Sequence, residues 1–575
     1  MDPVIVVGAG PVGLALSLAL AAQGVPSVVL DEGNGKDEPR PARTVVLRPD
    51  TADLMSRLGC GTVRHEGTRW SGWRSMLRKQ ELRQLPLDDG GEDQRRGDRH
   101  HWDRDDAYPG DGRDGRDRGD GAYQRGDRGA GADGGPAAPL HIPQHSLSRG
   151  LREAAAEHRL VRLVTDSRLD SLEQDAGGVG VHTRGPAATW WRGSYLVGCD
   201  GARSTVRKLL GIRFPGRTAV ERHAVAALRT ELPWPGEAVL HRQPPWSSGG
   251  DEITARPLPD GMWRLDWLLP PRGELVTPEA LVARVRDTLA GWCGGTPPYE
   301  LLDTGVYTLH HRLARRWRVD RAFLAGDAAH LLGAIGAQGL DEGLRDVDNL
   351  AWKLAQAWHH GASQTLLDSY QDERRTAVAA RLRAADQSLP ILRSGSGLRM
   401  YLPGAARGHD AMLTDAHLGR GALGAPPVYT HSPLTPEPTG PQTLAGAVPG
   451  SPVADVRVTA PDGTCARLRE RLCQGRLLVV LVAPGTGVWD RRHWAGAGIM
   501  PRLETAVSGL PSPAELVVTE SYPGASAHTV LLVRPDGHLV AAFAGVRPAE
   551  LYAAADIARG GAPATAGSDR TADID

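Results

Sequence analysis

The sequence predicts an α/β fold, and three observations carry that expectation. Residues 4–7 (VIVV) are a short continuous apolar run, the pattern of a strand buried on both faces of a parallel sheet. A glycine-rich turn, Gly8-Ala9-Gly10-Pro11-Val12-Gly13, follows at once and opens an Ala/Leu-rich helix over 14–23 that ends at Gly24. A second β-branched run, 25–30, then ends at Asp31. Strand, helix and strand in this order make a βαβ unit.

The three glycines of the turn serve different ends. Gly8 permits the tight turn, Gly10 lets the backbone approach a pyrophosphate, and Gly13 lets helix and strand pack closely. The free N–H groups and positive dipole end of the helix then face the phosphates. Asp31 stands 18 residues beyond Gly13, where a carboxylate accepts hydrogen bonds from ribose hydroxyls. Glu32 takes that role if the strand runs one residue further. In this setting the motif predicts dinucleotide binding, without choosing between NAD and FAD.

Composition narrows the remaining classes. A chain of 575 residues has room for about four domain-sized units. With 67 basic and 68 acidic residues the net charge is −1, which gives no global reason to bind nucleic acid or an anionic membrane. The apolar fraction of 41% supports a sizeable core, yet no apolar run approaches the ~20 residues of a membrane-spanning helix. The first strand starts at Val4, which leaves no basic leader ahead of it. The five cysteines (Cys60, Cys199, Cys293, Cys465, Cys473) contain no CxxC, so neither a disulfide framework nor a zinc site is expected. A reducing, cytoplasmic location fits them. His310-His311 and His359-His360 lack ligand spacing, so no metal is expected either.

Further along, residues 88–139 repeat Arg, Asp and Gly with almost no aliphatic side chains, and are expected to be a disordered insertion. Order resumes at Leu140, with a helix over 147–158 and strand-like stretches over 161–197. Residues 219–300 alternate apolar and polar with many Trp and Pro, as in a sheet-rich domain. Another buried strand, 322–325, precedes a glycine-rich loop, a helix over 342–359 and helical pattern to about 392. Residues 421–450 are rich in Pro, Gly and Thr and read as a linker. Beyond it lie an apolar strand, 477–482, and a hairpin-like pair, 529–533 and 539–543, around Pro535-Asp536-Gly537. The tail after about 560 is expected to be disordered.

Two distant segments select FAD. Cys199-Asp200-Gly201-Ala202-Arg203-Ser204-Thr205-Val206-Arg207 resembles the DG motif of flavoprotein hydroxylases, and Ala325-Gly326-Asp327-Ala328-Ala329-His330 resembles their GD motif. Together with the first motif, the chain resembles the FAD-dependent aromatic hydroxylases, the class A single-component flavoprotein monooxygenases, over roughly residues 1–400. The last segment resembles the thioredoxin-like C-terminal domain of the phenol and polyketide hydroxylase branch. The fold thus implied is a Rossmann-like FAD-binding domain of the aromatic-hydroxylase type, a sheet-rich substrate domain and a C-terminal thioredoxin-like domain. Its boundaries are 1–75, 140–215 and 305–420 for the FAD-binding domain, which the last of these segments completes together with further helices. The substrate domain takes 76–139, which includes the insertion, and 216–304. A linker over 421–450 and the thioredoxin-like domain over 451–560 complete it.

The resemblance also implies site residues. Gly8, Gly10, Pro11, Val12, Gly13, Asp31 and Glu32 would hold the ADP part of FAD. Arg43 in Arg40-Pro41-Ala42-Arg43-Thr44 and Gln144 would contact FAD, Asp200 the pyrophosphate, and Asp327 the ribityl chain. Gly336, Gln338, Gly339 and Leu340 precede or open a long helix whose N-terminus would face the pyrimidine edge of the flavin and stabilise negative charge there. Trp246, Trp263 and Trp267 are candidates for an aromatic substrate pocket. His330 reads as structural, and no residue is singled out as catalytic.

The implied activity is insertion of one oxygen atom from O2, with NADPH or NADH as reductant, by way of a C4a-(hydro)peroxyflavin. Ring hydroxylation of a small aromatic polyketide in antibiotic-type secondary metabolism is the leading expectation, with a homodimer as one assembly. Where relatives commonly carry a proline pair after Asp-Ala-Ala-His, this chain reads Leu331-Leu332-Gly333-Ala334-Ile335. That departure favours Baeyer–Villiger oxygenation of a ketone as the alternative. A non-catalytic, flavin-binding assembly protein is the alternative from another class.

Overall fold

Val4–Val7 is fully buried, and the reason is its place at the centre of a six-stranded sheet. Ser27–Leu30 and Tyr195–Gly198 pair with it in parallel on either side. Val161–Val164 extends the sheet beyond Ser27–Leu30, and Ala322–Leu324 extends it beyond Tyr195–Gly198. All four pairings are parallel, which accounts for strands that read as unbroken apolar runs. The computed structural model describes residues 1–36, 38–87, 137–186, 188–247, 252–270, 276–333, 339–361, 363–393, 405–436, 448–485 and 498–561. Most of the expected insertion, and the tail after 561, lie outside the described residues.

The first helix runs Pro11–Ala21, three residues ahead of the expected start. Proline at the first helical position has its φ already set for a helix and lacks only an N–H that would go unused there. A second long helix, Gly339–His360, packs against the first and shares its core.

The sheet-rich region forms an eight-stranded sheet. Its order is His330–Leu331, Glu300–Leu313, Gly216–Arg229, Met262–Leu269, Glu252–Pro257, Glu237–Arg242, Gly72–Leu77 and Gln80–Pro86. The expected sheet-rich character of 219–300 holds, with one helical element that the sequence did not single out. A sixteen-residue helix, Pro278–Cys293, lies within it. Thr277 caps the helix by accepting from Ala280 N at 3.3 Å, Pro278 opens it, and Gly294 ends it at φ +73°. Leu281, Val285, Leu289 and Trp292 form its apolar stripe and cover one face of the sheet.

The last domain is a six-stranded sheet, ordered Cys465–Arg467, Arg457–Thr459, Ala514–Thr519, Leu477–Val482, Thr529–Val533 and Leu539–Ala544. Leu477–Val482 pairs in parallel with Ala514–Thr519 and antiparallel with Thr529–Val533. Its side chains alternate between two clusters, Leu477, Val479 and Leu481 on one face and Leu478, Val480 and Val482 on the other. Helices Met500–Ser508 and Pro548–Ala558 cover the first face. All five cysteines are free.

The expected linker over 421–450 is not a free tether across its described part. Tyr429, Ser432 and Leu434 are buried, and Ser432 Oγ donates to Glu373. Glu373 also accepts from both terminal nitrogens of Arg534 at 2.6 and 2.9 Å, from Lys353 at 2.7 Å and from Asn349 at 2.6 Å. Arg534 begins the hairpin turn whose Asp536 accepts from Trp352 at 3.2 Å. Polar groups withdrawn from water must find partners, so the linker and the last domain are held against the long helix. Replacing Glu373 by Gln leaves Arg534 and Lys353 buried beside a neutral amide. The expected loss is about 3–5 kcal/mol in urea unfolding, and a loss below about 1 kcal/mol would show the contact to be dispensable.

Candidate active site

The phosphate end is built from the first turn. Gly8 has φ +104°, and a Cβ on it would lie 2.6 Å from the Cys199 carbonyl oxygen. A Cβ on Gly13 would lie 2.0 Å from the Gly8 oxygen. Nothing stands within 4 Å of the space a Cβ on Gly10 would take, and no side chain caps the helix that Gly10 opens. Two glycines are therefore demanded by packing, and the third leaves an open cradle of N–H groups suited to a pyrophosphate. Asp31 braces this turn, accepting from Ala9 N at 2.6 Å and Gly33 N at 2.8 Å. Its neighbour Glu32 is exposed and lies 3.7 Å from Arg168.

The other two motifs close on the same cleft. Asp200 sits against Gly8, and its Oδ2 accepts from Thr205 N at 2.6 Å and Val206 N at 3.0 Å. Its Oδ1 is buried without a hydrogen bond, an acceptor left over in the cleft wall. Val12 packs between Gly326 and Gly343, which ties the first motif to the second and to the long helix. Asp346 of that helix accepts from Gly326 N at 2.9 Å, His330 Nε2 at 2.8 Å and Arg374 Nε at 2.9 Å. His330 is fully buried between this carboxylate and Trp317, a structural place. Asp327 projects into open space. The dense protein around it pushes its pKa up, while His330 and Arg43 oppose the shift.

Arg43 and Gln144 meet as a pair. Arg43 Nε donates to Gln144 Oε1 at 2.9 Å, and Gln144 N donates to Arg43 O at 2.9 Å. Gly339 and Leu340 form the first turn of the long helix, whereas Gly336 and Gln338 lie outside the described residues.

The tryptophans stand elsewhere. Trp263 and Trp267 are buried in the core between the large sheet and helix Pro278–Cys293, and Trp246 packs on that helix beside Gly291. They occupy the sheet face away from the cleft. The strand MWRLDWLL alternates, so Arg264 and Asp266 between the tryptophans point the opposite way. Sequence reasoning passed over these two, and the signal was there: two charges alternating with apolar residues in a strand otherwise fit for a core.

That second face is polar and closely connected. Asp266 accepts from His223 Nδ1 at 2.6 Å, Tyr307 Oη at 2.9 Å and Arg264 at 3.0 Å. His223 stacks on Tyr307 with ring centroids 5.2 Å apart. Arg264 Nε donates to the carbonyl of Ala42, the residue before Arg43. Further along the Tyr307 strand, Leu309 and His311 touch Gly333, and His311 Nε2 lies 2.9 Å from its oxygen. The polar face thus touches the chain just before Arg43 and just after His330. Burial works against an imidazolium, but Asp266 and Glu221 overcome it and push His223 up to about 9. Burial also acts to raise Asp266, yet His223 and Arg264 hold it well below the usual carboxylate range. Burial and then Asp266 push the Tyr307 phenol up.

Residues 1–385 match the family model described as FAD binding domain. The chain belongs to this family. FAD is therefore the cofactor, and the open cradle at Gly10, the leftover acceptor of Asp200 and the Arg43–Gln144 pair fit it. The chain is 32% identical over 268 residues to a 3-(3-hydroxy-phenyl)propionate/3-hydroxycinnamic acid hydroxylase of Paraburkholderia xenovorans (strain LB400). That match covers 44% of this chain and only 41% of the relative. It is 29% identical over 418 residues to a dialkyldecalin synthase of Streptomyces rugosporus, covering 68% of this chain and 73% of the relative. Its fold is similar to that of aklavinone-11 hydroxylase, solved with FAD and aklavinone, with a TM-score of 0.68 at 22% identity. That likeness covers 97% of this chain and 99% of the other. The fold of the flavoprotein hydroxylases thus extends through the last domain. Among the described residues no group could hold a metal ion, and no helix is long and apolar enough to cross a membrane.

Two outcomes follow from this geometry. Gly10→Val meets no protein atom, so it should yield folded protein that has lost flavin absorbance. Gly13→Val should instead unfold, and circular dichroism separates the two. His223 should titrate near 9 by NMR, its charge complete below 6.5 and lost as pH rises through about 9. Asp266→Asn should bring that midpoint down, and an unmoved midpoint would show that the carboxylate does not hold the charge.

Proposed function

We propose that the protein is an FAD-dependent monooxygenase that uses NADPH or NADH and O2 to insert one oxygen atom into an aromatic, polyketide-type substrate, most simply by ring hydroxylation. The observation that carries this reading is the meeting of the three separated motifs, Asp200 against Gly8 and Val12 against Gly326, with Arg264 of the polar sheet face bound to Ala42 beside Arg43. When bound, FAD supplies the electron-transfer and oxygen chemistry. The chain supplies the rest. Gly10, Pro11, Val12 and Gly13 would cradle the pyrophosphate, and Asp31 would meet the ribose. Asp200 and Asp327 would lie along the pyrophosphate and ribityl chain, with Arg43 and Gln144 alongside. Gly339 and Leu340 would present the positive end of the long helix to the flavin ring, where it stabilises negative charge.

On the polar sheet face the protons are held by a short chain of contacts. Tyr307 Oη keeps its proton and donates it to Asp266 Oδ2, and accepts from Arg264 Nη2 at 3.2 Å. His223 keeps protons on both ring nitrogens at neutral pH, one on Asp266 and the other 3.5 Å from Glu221. A hydroxylated ring lying on this face would meet side chains held in place by these bonds, which would orient it.

A second reading, cyclisation without net oxidation, is favoured by one observation. The alignment with the dialkyldecalin synthase covers 68% of the chain, against 44% for the hydroxylase of strain LB400. One experiment decides among them. FAD-loaded protein is incubated with O2, NADPH or NADH, and in parallel with anthraquinone and angucycline-type compounds and with an acyclic polyene, and the products are weighed and mapped. Gain of one oxygen atom with consumption of the nicotinamide is the expected result, and ring connectivity then separates hydroxylation from a Baeyer–Villiger lactone. Conversion of an acyclic polyene without mass gain or nicotinamide consumption would replace the monooxygenase reading with the cyclase one.

A further inference from the structure

The chain that leaves the second flavin motif is fixed at two points. At the first, His330 is bound to Asp346, and Leu331 pairs with Arg312 of strand Glu300–Leu313. At the second, Gly333 O lies 2.9 Å from Nε2 of His311 on the same strand. A Cβ on Gly333 would strike the Leu309 Cβ, so glycine is what lets the backbone come this close. Gly333 also stands at the first of the two positions where relatives commonly carry proline. Between the fixed points lies Leu332, whose carbonyl oxygen stands beside Gly339: a Cβ there would lie 3.5 Å from it. Gly339 opens the long helix.

The other nitrogen of the His311 ring is equally committed. Nδ1 lies 2.9 Å from Asp386 Oδ1 on helix Thr376–Arg393, and the ring is 3% exposed. Both partners are oxygens that only accept, one a carbonyl and the other a carboxylate. The two hydrogen bonds together therefore require a proton on each nitrogen. Arg217 stands opposite His311 in the neighbouring strand and donates to the same Asp386 oxygen at 2.9 Å. When the ring gives up one proton, the carboxylate is the stronger acceptor and retains the proton on Nδ1. Nε2 then turns a lone pair on the Gly333 oxygen, and an attractive contact becomes a repulsive one.

We propose that His311, oriented by Asp386, is a positioning residue for the flavin end of the site. Its Nε2 proton fixes Gly333 and, through Leu332, the first residue of the helix whose positive end stabilises negative charge on the reduced flavin. The role rests on the reading of that helix end as the flavin-facing one. It adds a single proton on which the placement of the helix end depends. Loss of that proton should lower the reduction potential of bound FAD.

The test measures the midpoint potential of bound FAD against a reference dye from about pH 5 to 8, the range in which histidines titrate. Wild type and variants are compared at each pH, so the flavin's own proton uptake cancels. His311→Leu should lie below wild type at the acid end, and the gap should close as pH rises. His311→Gln puts an amide N–H near the place of Nε2 without a titrating proton, and should stay above His311→Leu at every pH. A glutamine variant that follows the leucine variant would show that the ring acts through its charge alone, and would overturn the proposal. So would equal acid-end potentials in wild type and His311→Leu. Gly339→Asp probes the helix end directly: its Cβ has room, and a carboxylate in the first turn should lower the potential throughout. If it does so while His311→Leu matches wild type, the positioning role falls and the helix reading stands. If Gly339→Asp leaves the potential unmoved, the helix reading falls and the role with it. Should His311→Leu fail to fold, NMR of histidine-labelled wild type, assigned against His311→Gln, decides. Protons on both ring nitrogens of His311 at the acid end are expected, and a singly protonated ring there would overturn the role.

Discussion

Much of this molecule is arranged around charge buried along one helix. Gly339–His360 carries Asp341, Glu342, Arg345, Asp346, Asn349 and Lys353 on its inward surfaces, all essentially out of water. Each must find a partner of opposite sign or a hydrogen bond, because an unmatched group there is expensive. Near its start the helix reaches Arg48, Thr51 and Asp50. One turn on, Asp346 gathers the backbone of the second flavin motif, His330 and Arg374. Further along, Asn349 and Lys353 meet Glu373, which in turn holds Arg534 of the last domain. A single helix thereby ties together the second flavin motif, the helical region and the C-terminal domain.

The parts of the fold that depend on local chemistry were readable from the chain. The first turn has its glycines where a Cβ would strike backbone, so Gly8 and Gly13 declare themselves by identity alone. The helix expected over 342–359 was found as Gly339–His360, and the hairpin around Pro535-Asp536-Gly537 was found with its two strands. That Arg43 and Gln144, so far apart in the chain, bond to each other was not among the expectations.

What stayed hidden depends on which side of a strand faces what. Trp263 and Trp267 drew attention as large aromatic residues, but their bulk serves to fill the space under helix Pro278–Cys293. That helix was itself concealed, since its stripe of Leu281, Val285 and Leu289 was submerged in a tract of Trp and Pro that suggests strands. Arg256, Arg264 and Asp266 could be seen to alternate with apolar residues. Only the pairing of their strands with the one carrying His223 and Val225 shows them to be neighbours. The stretch over 421–436 has the composition of a tether, and what anchors it is the reach of Tyr429 and Ser432 to Arg374 and Glu373, partners no local pattern names.

The parallel sheet also governs how the chain comes off the ribosome. Val4–Val7 is made first, but its neighbour Tyr195–Gly198 is made nearly two hundred residues later, and Ala322–Leu324 later still. At roughly 5–20 residues per second the first strand waits on the order of ten to forty seconds for its second edge to be covered. During that interval an unpaired, wholly apolar strand is available to other chains. The burial that makes the cofactor turn rigid at the end therefore makes the nascent protein a natural client for chaperones at the beginning.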